Sequence, residues 1–121
     1  MILPSLELIV GINALVRRSD EWFDEPDELD RVDRILDVFA PIDDPVEAAA
    51  MLAFPIARAQ AFGEGNKRTA VLTACWVLDR NGLNAEQFFP PDDLMLGGLL
   101  VRAASGADVS SQIADVIKSR K

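Results

Sequence analysis

The chain has 121 residues, room for one ordinary domain and too short for two. Half of it is apolar and 26% is charged, with 20 acids against 12 bases for a net charge of -8, which excludes a disordered chain and a nucleic-acid-binding surface spread over the whole molecule. Histidine is absent and there is one cysteine, so imidazole-based catalysis, His-ligated zinc, internal disulfides and multi-cysteine metal sites are excluded.

The start, Met1-Ile-Leu-Pro-Ser-Leu-Glu, has no basic region and reaches an acid at Glu7, unlike a secretory signal. The charge-free runs Ala48–Ala57 and Thr69–Leu78 are ten residues each, half of the ~20 needed to span a bilayer. The expected setting is therefore the cytoplasm, without a membrane partner, and with Cys75 reduced. The charge is lopsided. Residues 1–47 hold 13 acids and 4 bases, whereas residues 48–121 hold 7 acids and 8 bases. The acids gather between Asp20 and Glu47, either as a solvated face or as a docking surface or flap. The C-terminal half is the easier place to bind an anion.

The periodicity is helical nearly throughout, so the fold class is all-α, with residues 1–121 as a single domain. Leu6, Ile9, Val10, Asn13, Ala14 and Val16 predict a first helix over Ser5 to Arg18 with one apolar face. Ser19 to Glu25 is polar and reads as a loop, although it contains Trp22 and Phe23. A second helix begins near Pro26, repeats Leu29, Val32, Ile35, Leu36 and Phe39, and ends at Ala40 before Pro41. Asp44-Pro45-Val46-Glu47 carries a cap, a first-turn proline and an acid three residues on, and opens a third helix to about Ala61, with a kink expected at Pro55.

Phe62-Gly63-Glu64-Gly65 breaks the pattern. Asn66 is expected to cap a fourth helix that ends near Asn81-Gly82, and the apolar run Ala70 to Leu78 makes it the buried central helix. Cys75 falls in that run and reads as an inert core thiol. Leu83 to Pro91 reads as irregular, or at most a short hairpin-like connection. Asp92 or Asp93 opens a fifth helix to Ala104, in which Gly97-Gly98 is a weak point or a close-packing site. Gly106 stops it, and a sixth helix covers Ser110 to Lys118 with Ile113, Val116 and Ile117 inward. The expected architecture is a bundle of about six helices around the fourth.

The stretch Gln60-Ala61-Phe62-Gly63-Glu64-Gly65-Asn66-Lys67-Arg68 stands apart chemically. A loop of small residues runs into a helix N-terminus, where unpaired amides and the helix dipole favour an anion. Gly63 and Gly65 allow close backbone approach, and Lys67 and Arg68 add two cations. Cations there oppose the dipole at a cost of a few tenths of a kcal/mol, which a bound phosphate reverses. Glu64 is a suitable oxygen donor for Mg²⁺ beside a phosphate. On spacing alone, a turn and cap followed by two surface cations explains the stretch equally well.

These nine residues resemble the motif of the Fic/Doc family, His-x-Phe-x-(Asp/Glu)-(Gly/Ala)-Asn-(Gly/Lys)-Arg, and eight of the nine positions fit. The Ala-rich helix before the motif, the apolar helix ending in Asn81-Gly82-Leu83, and Ala103-Ala104-Ser105-Gly106 resemble its Doc branch. The resemblance covers about Ser5 to Lys118 and is looser over residues 20–40. It implies a compact helical bundle that uses ATP and Mg²⁺. Glu64 would hold the metal, Asn66 and Arg68 the phosphates, and Phe62 would anchor the loop, with Gly63, Gly65 and Lys67 completing the nucleotide site.

AMP-transferring members have a second Gly where this chain has Lys67, and usually a further Arg where it has Val71. Both residues resemble the Doc branch, toxins of toxin–antitoxin pairs that transfer the γ-phosphate of ATP to a threonine of translation elongation factor Tu. The resemblance therefore implies that factor as substrate and a Phd-like antitoxin as partner, with no DNA binding by this chain itself. It also makes residues 19–26 a flap, in which Trp22 and Phe23 either face the substrate or pack on the helices beneath. The inhibitory signature (Ser/Thr)-x-x-x-Glu-(Gly/Asn) of self-restrained members does not occur.

The motif begins with Gln60 in place of the general-base His. An amide can position a hydroxyl but cannot deprotonate it, and general-base catalysis is typically worth ~10²–10⁴ in rate. The catalytic set carried over by position is Gln60, Asn66, Lys67 and Arg68. The readings left open are a Doc-type kinase impaired at Gln60, an AMP-transferring enzyme, and a silent member that binds nucleotide or a partner.

Overall fold

Asp44 and Pro45 open the helix around which the rest is arranged. In the computed structural model, which describes residues 1–17, 27–37 and 42–121, Asp44 Oδ1 accepts the Val46 N–H at 3.0 Å and the helix α3 (Pro45–Ala59) follows, running through Pro55. Its Ala48, Ala49, Leu52, Ala53, Ile56 and Ala57 are buried. Small residues on that scale let a second helix come close, and α4 (Asn66–Arg80) fills the place with Thr69, Ala70, Thr73, Ala74, Val77 and Leu78. Burying an Ala/Leu/Ile face of this kind stabilises by about 25 cal/mol per Å² of apolar surface removed from water.

Around this pair lie α1 (Leu6–Val16) against α4, α2 (Leu29–Asp37) against α3, a short α5 (Ala85–Phe88) against the end of α4, α6 (Leu94–Ala104) across α3 and α4, and α7 (Ser110–Lys118) against α3 and α6. Among the described residues there are seven helices and no strand, so the all-α expectation holds. No described helix is long and apolar enough to cross a membrane.

Several expectations need correction. The first helix ends at Val16, because Arg17 is extended at φ -62°, ψ 137°. The third helix ends at Ala59, not Ala61, because Gln60 turns left-handed at φ 50°. The fourth is capped by Gly65, at φ 78°, and Asn66 is its first helical residue. Leu83–Pro91 is not irregular. Asn84 accepts the Glu86 N–H at 3.2 Å and starts a single helical turn, too short to leave a periodic signature, which buries Phe88. That turn, α5, is the one helix beyond the six expected.

The core is centred on the α3–α4 pair, and α4 is not buried all round. Leu72 on its outer side is 44% exposed, and Cys75 is half-buried. Burial, and then the nearby Asp79, still push the Cys75 thiol up to about 11, in keeping with an inert residue. Gly97 and Gly98 are exposed, and a methyl group on either would meet nothing within 4 Å, so they are not a close-packing site. The second helix is described from Leu29 to Asp37. Its expected ends at Pro26, Ala40 and Pro41, and the flap at residues 19–26 with Trp22 and Phe23, lie outside the described residues.

Candidate functional site

Between α3 and α4 the chain reverses over six residues, and its polar groups are tied off locally. Gln60, the C-cap of α3, donates from Nε2 to the carbonyls of Ala57 at 3.0 Å and Ala104 at 3.4 Å. Its Oε1 accepts from Asn66 Nδ2 at 3.3 Å. Asn66 also bonds Phe62 twice, accepting its N–H at 3.1 Å and donating to its carbonyl at 2.9 Å. The Asn66 side chain, with the residue only 7% exposed, therefore holds the loop folded over the buried Phe62 ring. This is why Asn66 does not cap: its amide points back into the loop, and the cap position falls to Gly65.

Gly65 is required there on two counts. Its φ of 78° is strained for other residues, and a Cβ would stand 3.1 Å from Val16 Cγ2 and 3.3 Å from Asn13 Nδ2. Because the cap has no side chain, the first amides of α4 receive no capping bond. Lys67 and Arg68 occupy that first turn and are both exposed. Arg68 Nη1 donates to the Val16 carbonyl at 2.9 Å, which holds its guanidinium beside α1. From these two cations an apolar groove of about 500 Å³ opens between α4 and α6, walled by Leu72, Leu100 and Val101.

The loop is fastened to the rest of the molecule by residues that sequence reasoning did not single out for the site. Asn13, 2% exposed, donates from Nδ2 to the Glu64 carbonyl at 2.8 Å and to Thr69 Oγ1 at 3.1 Å. Its Oδ1 accepts from Arg17 Nε at 2.6 Å. Arg17 in turn pairs through Nη2 with Asp27 Oδ1, and the same carboxylate oxygen accepts the Gly63 N–H at 3.0 Å. The neighbouring Glu28 N–H donates to the Ala61 carbonyl at 2.6 Å. One signal for Asn13 was available: an amide in the middle of an apolar helix face must find partners when buried.

The structure thus brings Gln60, Gly63, Glu64, Gly65, Asn66, Lys67 and Arg68 together in one loop and helix start. Within it, the Gly63 amide and the Asn66 side chain are engaged by the protein itself. Among the described residues no group of three or more Asp, Glu, Cys or His side chains could hold a metal ion. The Glu64 carboxylate is a hard oxygen donor, of the kind that suits Mg²⁺ when phosphate oxygens and water complete the shell.

The family model for Fic/DOC matches residues 10–78, from the middle of α1 to near the end of α4. The chain belongs to the Fic/DOC family. No curated protein matches it. The matched span includes the loop, the first turn of α4 and the residues that fasten it, Asn13, Arg17, Asp27 and Glu28, so the fastening lies inside the Fic/DOC region. Fic/DOC proteins are generally enzymes that act on nucleotide substrates with a metal.

Proposed function

We propose that this chain is a Doc-branch toxin that transfers the γ-phosphate of ATP, as its Mg²⁺ complex, to a hydroxyl of translation elongation factor Tu. On this reading translation stops, a Phd-like antitoxin restrains the protein, and this copy is impaired at Gln60. It works in the cytoplasm with no DNA or membrane contact of its own. The observation that supports this best is the N-terminus of α4, entered through Gly65 with no side-chain cap, and with Lys67 and Arg68 in its first turn. Amides, dipole and two cations there favour a polyphosphate.

In this reading Arg68 and Lys67 neutralise phosphate oxygens, the Gly65 turn brings the α4 amides close to them, and Glu64 holds the metal. Bound there, Mg²⁺ would neutralise phosphate charge. The groove between α4 and α6 can take the apolar parts of the nucleotide. Lys67 in place of a second Gly favours phosphoryl over AMP transfer. In the step, the bond from the γ-phosphorus to its bridging oxygen breaks, a bond to the target hydroxyl oxygen forms, ADP leaves, and the hydroxyl proton passes to an oxygen of the transferred phosphate or to water. Gln60 cannot take that proton, and its amide is occupied by Ala57, Ala104 and Asn66.

The test is Gln60→His. Histidine is one of the residues that tolerate φ near 50°, so the backbone at this position accepts it. The expected result is growth arrest on expression and γ-phosphate label on the factor, with a gain of ~10²–10⁴ over the unmodified chain. Label from the α-phosphate instead means AMP transfer. ATP–Mg²⁺ binding with no gain of transfer in Gln60→His means a silent binding member. A chain that binds no nucleotide refutes the proposal.

A further inference from the structure

The tether at Asp27 is a feature of the site that its motif does not contain. Its carboxylate oxygen Oδ1 takes both the Gly63 N–H, at 3.0 Å, and the Arg17 guanidinium. Arg17 is itself oriented by Asn13 Oδ1 at 2.6 Å, and Asn13 holds the same loop at the Glu64 carbonyl and the start of α4 at Thr69. The Gly63–Gly65 backbone is thus held by two side chains, Asp27 and Asn13, that are joined through Arg17. The side chains of Asp27 and Arg17 are 27% and 21% exposed, and neither belongs to the core.

The placement of a carboxylate here needs a reason. An acid within hydrogen-bond reach of a loop that receives phosphate repels the ligand. Arg17 cancels that charge, so what remains of Asp27 is a fixed hydrogen-bond acceptor. A glycine-flanked loop loses much conformational freedom on ordering, and a ligand that must order it binds more weakly.

We propose that Asp27 is a positioning residue that pre-orders the Gly63–Gly65 backbone for the phosphates, with Arg17 there to neutralise it. This rests on the phosphate-binding reading above. It requires that the hydrogen bond, and not the charge, be the useful part of Asp27.

The full chain is titrated with ATP–Mg²⁺ by calorimetry as wild type, Asp27→Ala, Asp27→Asn and Arg17→Ala, with helical circular dichroism recorded for each. Asp27→Ala frees the loop and is expected to weaken binding about five- to tenfold, the size of one hydrogen bond. Asp27→Asn keeps an oxygen for Gly63 and should bind within twofold of wild type or more tightly. Arg17→Ala leaves the carboxylate uncancelled and should weaken binding at least as much as Asp27→Ala. If Asp27→Ala binds as well as Asp27→Asn, the inference is overturned while the phosphate reading stands. Loss of the helical signal in Asp27→Ala makes it a folding residue and also overturns the inference. A wild-type chain that binds no ATP–Mg²⁺ refutes the proposed function and this inference together.

Discussion

Asn13→Leu keeps the branched shape and heavy-atom count of a buried side chain, in a larger volume, and removes every polar contact it makes. Three bonds go: Nδ2 to the Glu64 carbonyl at 2.8 Å, Nδ2 to Thr69 Oγ1 at 3.1 Å, and Arg17 Nε to Oδ1 at 2.6 Å. Each is worth about 1 kcal/mol net, and a partner left buried without a bond costs up to about 3 kcal/mol. Arg17 is 21% exposed and can turn to water, whereas Thr69 is fully buried and cannot. The added apolar burial of leucine returns roughly 1 kcal/mol. The expected net loss is about 2–3 kcal/mol, or a fall in Tm of roughly 10 °C for a domain of this size. Equilibrium urea unfolding measures it, with the m-value unchanged. Asn13→Asp is the partner experiment. It keeps an acceptor for Arg17 but sets a carboxylate against the Glu64 carbonyl, so it should cost at least as much. A loss below about 1 kcal/mol in both variants would refute the claim that Asn13 ties the loop to α1.

Two glycines should respond to alanine with opposite signs. Gly65→Ala meets both a φ of 78° and crowding against Val16 and Asn13, and should destabilise by about 1–3 kcal/mol; Gly97→Ala, in open space on α6, should stabilise by about 0.5–1 kcal/mol, and thermal melts that give both the same sign would contradict the loop geometry. Acid sensitivity should trace to two caps. The Lys121 hydrogen bond lowers the Asp44 carboxyl, while burial raises Asp93 but is outweighed by Arg120 and by the amides of Leu96 and Met95. Both are held below the ordinary carboxylate value of 3.8 when folded, so their contribution is fully present above about pH 5 and is lost as the pH falls through the folded values. Arg120→Ala should flatten that acid limb in urea titrations between about pH 5 and 2, and an unchanged slope would count against the Arg120–Asp93 pair.

The helices were legible where start and stop signals sat beside strong periodicity, as at Asp44-Pro45, Asp93 and Gly106. They were not legible where a single capping residue made one turn, as Asn84 does for α5. At Gly65-Asn66 both residue types can cap, and only the backbone angle decides between them. The candidate site could be marked out because all seven of its residues fall within one nine-residue motif. Its supports could not. Asn13 matched the apolar period of its helix, and nothing local shows that its amide reaches residues 51 and 56 positions away. Asp27 looked like one acid among many until its oxygen was found on Gly63.

Those long-range ties also bear on the order in which the molecule becomes complete. Helices α3 and α4 can form from neighbours in sequence, and their small-residue faces can meet early. The loop between them acquires its final shape only when α1 docks and Asn13 closes on Glu64 and Thr69, a step that bridges more than fifty residues. A chain in which α1 has not docked therefore carries the whole motif without the Asn13 ties to its loop. The Asn13 ties to residues 64 and 69 are thus expected to close after the local helices have formed.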